Sequence, residues 1–389
     1  ISEMIQMPSF IDYMKVRGSF SSVGMPYPRN LTSPTYEYNE ATQSWKPKTH
    51  YPIGDLKPER TDSWEVGLDM KLFKDFNLGL SWYLANTFNQ TFDPQISVSS
   101  GYTTIYLQTG YVRNTGLELS LGYGHTWNNN FRWDSNFTLS HNKNKIKELV
   151  RDYVHPETGE LINKNRLDVG GLGKARFILK EGGTLGDLYT QSDLKRDDNG
   201  MVDIDPTGIV AIENNLPDIK LGSVFPKANL AWSNHFSWKG ISLSALFTAR
   251  IGGIVYSATE AAMDQYGVSE RSALGRDNGG VLVNNRTLVD AQNYYTTIGS
   301  ESGLPQYYTY NATNVRLQEA SIGYLIPRKW LGNVCDIQVS VIGRNLWMIY
   351  NKAPFDPESV ATTDNYYQGI DYFMLPSTRN IGFNVKINF

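Results

Sequence analysis

The 389-residue sequence predicts an all-β fold, a transmembrane antiparallel β-barrel. Three observations carry that expectation. Apolar and polar residues alternate over many segments, the period of a strand with one buried face. The connections between those segments alternate between short and long. Aromatic residues collect near segment ends. Composition is compatible: charged residues are only 19%, aromatics reach 13%, and Tyr leads with 24. The mean hydropathy is −0.39, and no run of about 18 apolar residues suggests a membrane helix. Barrel strands are apolar on one face only, so a polar average does not count against them.

In chain order, alternation is weak at 14–20 and clear at 64–72, 76–84, 117–123, 131–139, 230–238 and 241–251. It is weak again at 320–326, then clear at 335–341 and 381–389. The final segment is the cleanest: Ile381, Phe383, Val385, Ile387 and Phe389 alternate with Gly382, Asn384, Lys386 and Asn388. These segments run to about 9–12 residues, which suits a tilted membrane strand and exceeds the usual soluble strand of about 5–6. Short connections lie at 73–76, 127–131, 238–241 and 327–333. Long ones lie at 22–61, 87–113, 142–174, 252–314 and 349–378. Short turns on one side and long loops on the other describe an outer-membrane barrel.

Loop sorting also sets a parity. An even number of strands must separate the segment at 131–141 from the one at 228–238. The residues at 175–193 are therefore expected to form a hairpin in the wall, turning at Gly182-Gly183. That makes about twelve strands, the first running outward and the last ending on the short-turn side, with Phe389 in a paired strand at that rim. Trp64, Phe73, Phe76, Trp127, Phe131, Trp133, Phe236, Trp238, Trp330 and Phe389 are expected to form an interfacial girdle on the short-turn side. One long loop holds a helix signal: Ser257-Ala258-Thr259-Glu260 has capping-box spacing, with Gly267 as its stop.

Enzyme signatures do not emerge. His50, His125, His141, His155 and His235 lack ligand spacing. Asp193, Asp197, Asp198, Asn199, Gly200, Asp203 and Asp205 resemble a calcium loop. Aligned on Gly200, however, its first and twelfth positions are Lys195 and Pro206, so a solvated acidic loop is expected instead. Gly170-Gly171-Leu172-Gly173 lacks phosphate-loop context. Cys335 is the only cysteine, which excludes an internal disulfide. A net charge of −3 gives no electrostatic case for nucleic acid. The expectation is a non-enzyme with no catalytic residues, no cofactor and no metal site. The opening Ile1-Ser2-Glu3, without Met or a targeting segment, suggests a processed or cut piece.

Several stretches resemble one family. Lys57-Pro58-Glu59-Arg60-Thr61-Asp62-Ser63-Trp64-Glu65-Val66-Gly67-Leu68 resembles a strand entry of TonB-dependent transporters, and Val112-Arg113-Asn114-Thr115-Gly116-Leu117-Glu118-Leu119 a second. Leu216-Pro217-Asp218 followed by Phe236-Ser237-Trp238-Lys239-Gly240-Ile241 resembles a hairpin of the same family. So do Arg250-Ile251-Gly252-Gly253-Ile254-Val255-Tyr256-Ser257, Asn314-Val315-Arg316-Leu317-Gln318-Glu319, Gly343-Arg344-Asn345-Leu346 and Asp356-Pro357-Glu358. Together they resemble the SusC/RagA-like branch, over nearly the whole chain. The family's plug, TonB box and signal peptide have no counterpart here.

The resemblance implies that residues 1–389 are the C-terminal portion of a barrel of about 22 strands around a plugged lumen. It implies TonB-driven import of an oligosaccharide or oligopeptide across the outer membrane of a Gram-negative bacterium. The implied partners are the N-terminal remainder of the transporter, a SusD-like surface lipoprotein, the TonB complex and outer-membrane lipid. Two rival readings stay open: a self-closed passive pore, and a secreted β-rich glycan-binding protein. If the apolar face meets lipid, Arg17, Glu65, Asp69, Glu118, Arg132, Asp134, Arg250, Asp336 and Lys386 face the lumen or plug. The aromatic loops supply candidate substrate contacts: Tyr36, Tyr38 and Trp45; Tyr294, Tyr295, Tyr307, Tyr308 and Tyr310; Tyr366, Tyr367, Tyr372 and Phe373.

Overall fold

A computed structural model describes residues 7–27, 37–46, 50–51, 57–92, 99, 101–154, 159, 161–300, 303–363 and 367–388. Ten strands form one antiparallel sheet in chain order. They are β1 (Ile11–Met25), β2 (Glu59–Leu72), β3 (Phe76–Phe92), β4 (Leu107–Thr126) and β5 (Arg132–Glu148). Then come β6 (Ala228–Trp238), β7 (Ile241–Ile251), β8 (Asn314–Ile326), β9 (Asp336–Asn351) and β10 (Asn380–Asn388). Each strand pairs with its predecessor and successor, so the turns sort by side as expected. The shortest turn, Lys239-Gly240, joins Trp238 to its partner Ile241 with φ of 46° and 88°, the double-positive conformation of a tight hairpin. Among the described residues, β1 bonds only to β2 and β10 only to β9, which leaves two open edges.

The count of ten corrects the expected twelve. Residues 175–193 do make a hairpin, with Arg176 opposite Tyr189 and Phe177 opposite Leu188. It lies in a separate four-stranded sheet within the loop between β5 and β6, on the long-loop side. Two physical facts keep it out of the wall. Its strands, Ala175–Lys180 and Asp187–Thr190, have six and four residues, too few to cross a bilayer. Phe177, Ile178 and Leu179 are consecutive and all fully buried, the mark of a sheet covered on both faces. Parity survives with no strand between β5 and β6.

The register sorts the side chains cleanly. Paired residues share a face. One row across the sheet reads Arg17, Gly67, Ser81, Glu118, Ser140, Asn229 and Arg250. The next row, on the other face, reads Val16, Leu68, Leu80, Leu119, Leu139, Leu230 and Ala249. The apolar face is the bare one: Val16, Val66, Trp82, Trp232, Ile322 and Phe383 are each more than 40% exposed. Water would penalise such a surface, whereas hydrocarbon matches it. Two indoles on this face are satisfied within it, Trp133 Nε1 donating to Asn234 and Trp232 Nε1 to Ser135.

The hydrophobic core sits elsewhere, in a cap built from the long loops. It gathers Phe92, Val112 and Ile146 from upper strand ends with Phe177, Leu188, Tyr256, Leu304, Tyr308 and Ile370. Three helices belong to the cap: α1 (Ala258–Gln265), α2 (Glu270–Asp277) and α3 (Ala291–Gly299). At the α1 N-terminus, Ser257 accepts from the Glu260 amide, and Gly267 follows at φ 68°, as the capping signal predicts. The lower girdle forms a continuous run, Phe76 to Tyr123 to Trp133 to Phe236, with centroids 4.7, 5.1 and 5.9 Å apart. Trp64 is a correction. It stands near the long-loop end of β2, its ring tilted against Phe20 at 4.6 Å, and so belongs to the opposite rim. Phe389 lies outside the described residues.

Candidate functional site: a polar wall under a loop cap

The expected inward residues Arg17, Glu65, Asp69, Glu118, Arg132, Asp134 and Arg250 all fall on the polar face by register. Asp336 and Lys386 lie on the same face near the β9–β10 edge. Arg17 is the most connected. Its guanidinium meets Glu65 at 2.7 Å and Asp69 at 3.5 Å and also donates to Ser81. Gly67 makes this possible, because a Cβ there would collide with the Arg17 side chain lying flat across it. Arg132 grips Asp134 with two bonds of 2.6 and 2.8 Å. These pairs hold opposite charges against one another on the polar face.

A cleft of about 720 Å³ opens on this face, lined by Arg17, Asp69, Ser81, Glu118, Arg250 and Glu358 among others. Arg250 donates to the Val224 carbonyl at 2.9 Å, and the carboxylate facing it is Glu358, carried in from the loop after β9. That loop is pinned by Arg316, only 4% exposed on β8. Arg316 reaches Asp356 at 2.8 and 3.2 Å and Glu358 at 3.4 Å. The cap therefore reaches down to the cleft through a fixed anchor.

The aromatic candidates separate. Tyr38 and Trp45 face each other at 5.1 Å on a small exposed hairpin remote from the other clusters in sequence. Tyr294 and Tyr295 meet edge to face at 5.4 Å on α3, with Tyr307 packed beside the same core. Tyr308 is a correction: it is fully buried and donates to Asp264 at 2.9 Å, so it is a core residue with no surface for a ligand. Burial, reinforced by Asp264, raises its phenol far above the usual range. Tyr310 packs on Phe355 at 5.7 Å. Tyr372 and Phe373 are 52% and 60% exposed. Their loop is stitched to α1 by Phe373 N donating to Thr259 at 2.7 Å and Ser257 Oγ donating to Asp371 at 2.6 Å. Tyr367 is partly exposed beside Phe177. Tyr36 and Tyr366 lie outside the described residues.

The cap also holds buried ionic networks that no local sequence pattern marks. Asp264 forms an ion pair with Arg271 at 2.9 Å and accepts hydrogen bonds from Tyr308 and Ser269. Asp218 accepts from Arg166 at 2.6 Å and Lys180 at 2.9 Å. The Arg166 hydrogen bond, opposed by desolvation and reinforced by Lys180, holds the Asp218 carboxyl well below the usual range. In the acidic loop, Asp197 accepts from Asn199 N and Met201 N, and Asp205 from Thr207 N and Ile209 N. Those carboxylates are engaged by their own turns. Among the described residues, no three His, Cys, Asp or Glu side chains gather as a metal site would.

A sheet that is polar on its concave face, apolar and bare outside, and capped by long loops on one side defines the wall of a membrane β-barrel. The family model for the TonB dependent receptor-like β-barrel matches residues 9–205, and the chain belongs to that family. A curated relative, TonB-dependent receptor P3 of Formosa agariphila, is 24% identical over 371 residues, covering 87% of this chain and 35% of the relative. TonB-dependent receptor P26 of the same organism is also 24% identical, over 86% of this chain and 35% of its own length. The chain thus spans about a third of the length of these relatives. Among solved structures, the RagAB peptide transporter superposes with a TM-score of 0.74 at 19% identity, over 100% of this chain and 42% of that one. The closed-closed state of the RagAB peptide importer gives 0.73 at 18% identity, with the same coverage. At these identities the likeness is one of fold.

Proposed function

We propose that this chain forms the C-terminal wall and extracellular cap of an outer-membrane importer, energised through TonB and assembled with a SusD-like surface lipoprotein. The carrying observation is the cleft on the polar face, roofed by loops that Arg316 anchors to the wall. A transporter needs a hydrated path with groups that bind and release, and the paired charges of the polar rows supply one. The cargo class is an oligosaccharide or oligopeptide. Exposed rings at Tyr372 and Phe373, and the edge-to-face pair at Tyr294 and Tyr295, suit sugar faces and peptide backbone alike. The two open edges favour a larger barrel over a self-closed pore, since each unpaired backbone group in hydrocarbon costs several kcal/mol.

The test is uptake by cells carrying the full-length transporter as their sole route for labelled oligopeptides or oligosaccharides. Accumulation against a gradient that collapses when TonB is removed supports the proposal. Downhill flux that is indifferent to TonB would establish the passive-pore reading instead.

A further inference from the structure

The outward face carries a charge cluster that import does not use. On β5 the outward series is Trp133, Ser135, Phe137, Leu139, His141, Lys143 and Lys145, fixed by pairing with β4 and β6. Arg113 on β4 stands directly opposite Lys145, in the same outward row. Lys147 sits at the bulge just beyond, where it feels the positive charges of Arg113 and Lys145. Lys143, Lys145 and Lys147 are all exposed.

No acid neutralises this group among the described residues. On the same face, Asp62 is engaged by Arg60 at 3.1 Å and by Ser22 at 2.6 Å, and Glu148 by Arg151 at 3.4 Å. Arg113 is held by neutral partners only, Nε donating to Asn86 at 2.8 Å and Nη2 to the Tyr111 hydroxyl at 2.5 Å. Its guanidinium is therefore oriented in advance but not neutralised, with Nη1 left for another acceptor.

Height decides what meets it. Trp133 belongs to the aromatic girdle at the short-turn rim. Ten residues of strand later comes Lys143, about 34 Å along the chain, or about 26 Å along the normal for a strand tilted about 40°. That matches the apolar band of an outer-membrane barrel, about 25 Å tall. The ammonium groups thus stand at headgroup level on the long-loop side, directly above the lipid-facing rows of Leu117, Leu119 and Leu139.

We infer that Arg113, Lys143, Lys145 and Lys147 form an outward-facing site for the phosphorylated headgroup of a lipid in the long-loop-side leaflet. The acyl chains would lie down the apolar rows beneath, and the phosphate would bridge the two strands. An oriented guanidinium supplies directional bonds and the lysines supply point charges, the combination that phosphate recognition uses. The inference rests on the membrane orientation proposed above but not on the cargo or on TonB.

The test uses the full-length transporter in uncharged detergent micelles, read by its melting temperature. Dioctanoyl phosphatidic acid is the probe, with dioctanoylglycerol and inorganic phosphate as comparisons. Phosphatidic acid is expected to raise the midpoint by roughly 2 °C or more at low salt, by stabilising the state that binds it. The double variant Lys143→Gln/Lys145→Gln should lose at least half of that rise, and Arg113→Gln most of it. Lys329→Gln, which removes one charge at the opposite rim, should keep it. An equal rise with dioctanoylglycerol would mean the apolar belt alone binds, and an equal rise with inorganic phosphate would mean a free-anion site. Either overturns the inference, as does a Lys143→Gln/Lys145→Gln response identical to the parent. Transport activity is not part of the readout, so failure here leaves the import proposal standing.

Discussion

Arg316 is the side chain whose removal should be felt most. It is buried with Asp356, and Glu358 leans on the same guanidinium, so Arg316→Ala leaves two carboxylates facing a gap. Breaking a buried pair from one side typically costs about 3–5 kcal/mol. The expected outcome is release of the loop after β9, seen as faster amide exchange over 352–363 with β8 and β9 still protected; unchanged exchange there would refute the anchor. Asp218 gives a pH prediction. Its folded pKa lies below its unfolded value, so it adds stability above about pH 4 and loses it as pH falls below that range. Near-ultraviolet circular dichroism of the cap should show a transition below about pH 4, weakened in Asp218→Asn. Tyr294 runs the other way: burial pushes its phenol up to about 12, so its neutral form is favoured in the fold. Stability from it is complete below about pH 10 and declines as pH rises toward 12. Neither network was legible in the sequence, because Asp218 and its partners Arg166 and Lys180 lie 38 to 52 residues apart, with no local period to link them.

At the scale of elements, legibility followed locality. The strands of the wall and their tight turns could be read because period-two alternation and turn residues are short-range signals. The α1 cap was legible for the same reason: Ser257 and Glu260 are one helical turn apart. The hairpin at 175–193 shows the limit. Its turn was found, but its address was not, since deciding between wall and cap depends on what covers each face. The signal that would have corrected it was present in the run Phe177-Ile178-Leu179, which is continuous where a wall strand alternates. Ser257 also offers an element-level test. Its hydroxyl caps α1 and donates to Asp371, tying two loops together. Ser257→Ala should cost about 1 kcal/mol or somewhat more, the value of a lost cap plus a bereft acceptor. The loss should appear as faster exchange in both α1 and 370–373; an effect confined to α1 would show that the Asp371 contact carries nothing.

Over the whole molecule, the sequence placed polar residues inward and long loops on one side because both follow from strand parity. What it did not show is that the buried hydrophobic clusters of the described residues gather in the cap, while the wall presents its apolar face bare. Such a wall is stable only where hydrocarbon covers one face and where neither edge is open. The second condition leads to the last prediction. β1 has 15 residues and β10 has nine, and the described partners of each lie on one side only. Alternate N–H and C=O groups along both strands therefore point away from the sheet, and at several kcal/mol per unmet group a bilayer would not tolerate the row. In the full-length protein these edges should be closed by other strands of the same barrel, so every amide of β1 and β10 should resist exchange in membranes. Slow and fast amides alternating along β1 or β10 would mean that the edge is open, and with it the larger closed barrel would fail. A wall pairing β1 with β10 directly would protect the same amides, so a second reading is needed. Cysteines placed at Ser19 and Asn384, both on the polar face, report it. They should not form a disulfide in the native barrel, and efficient crosslinking between them would establish a small closed pore.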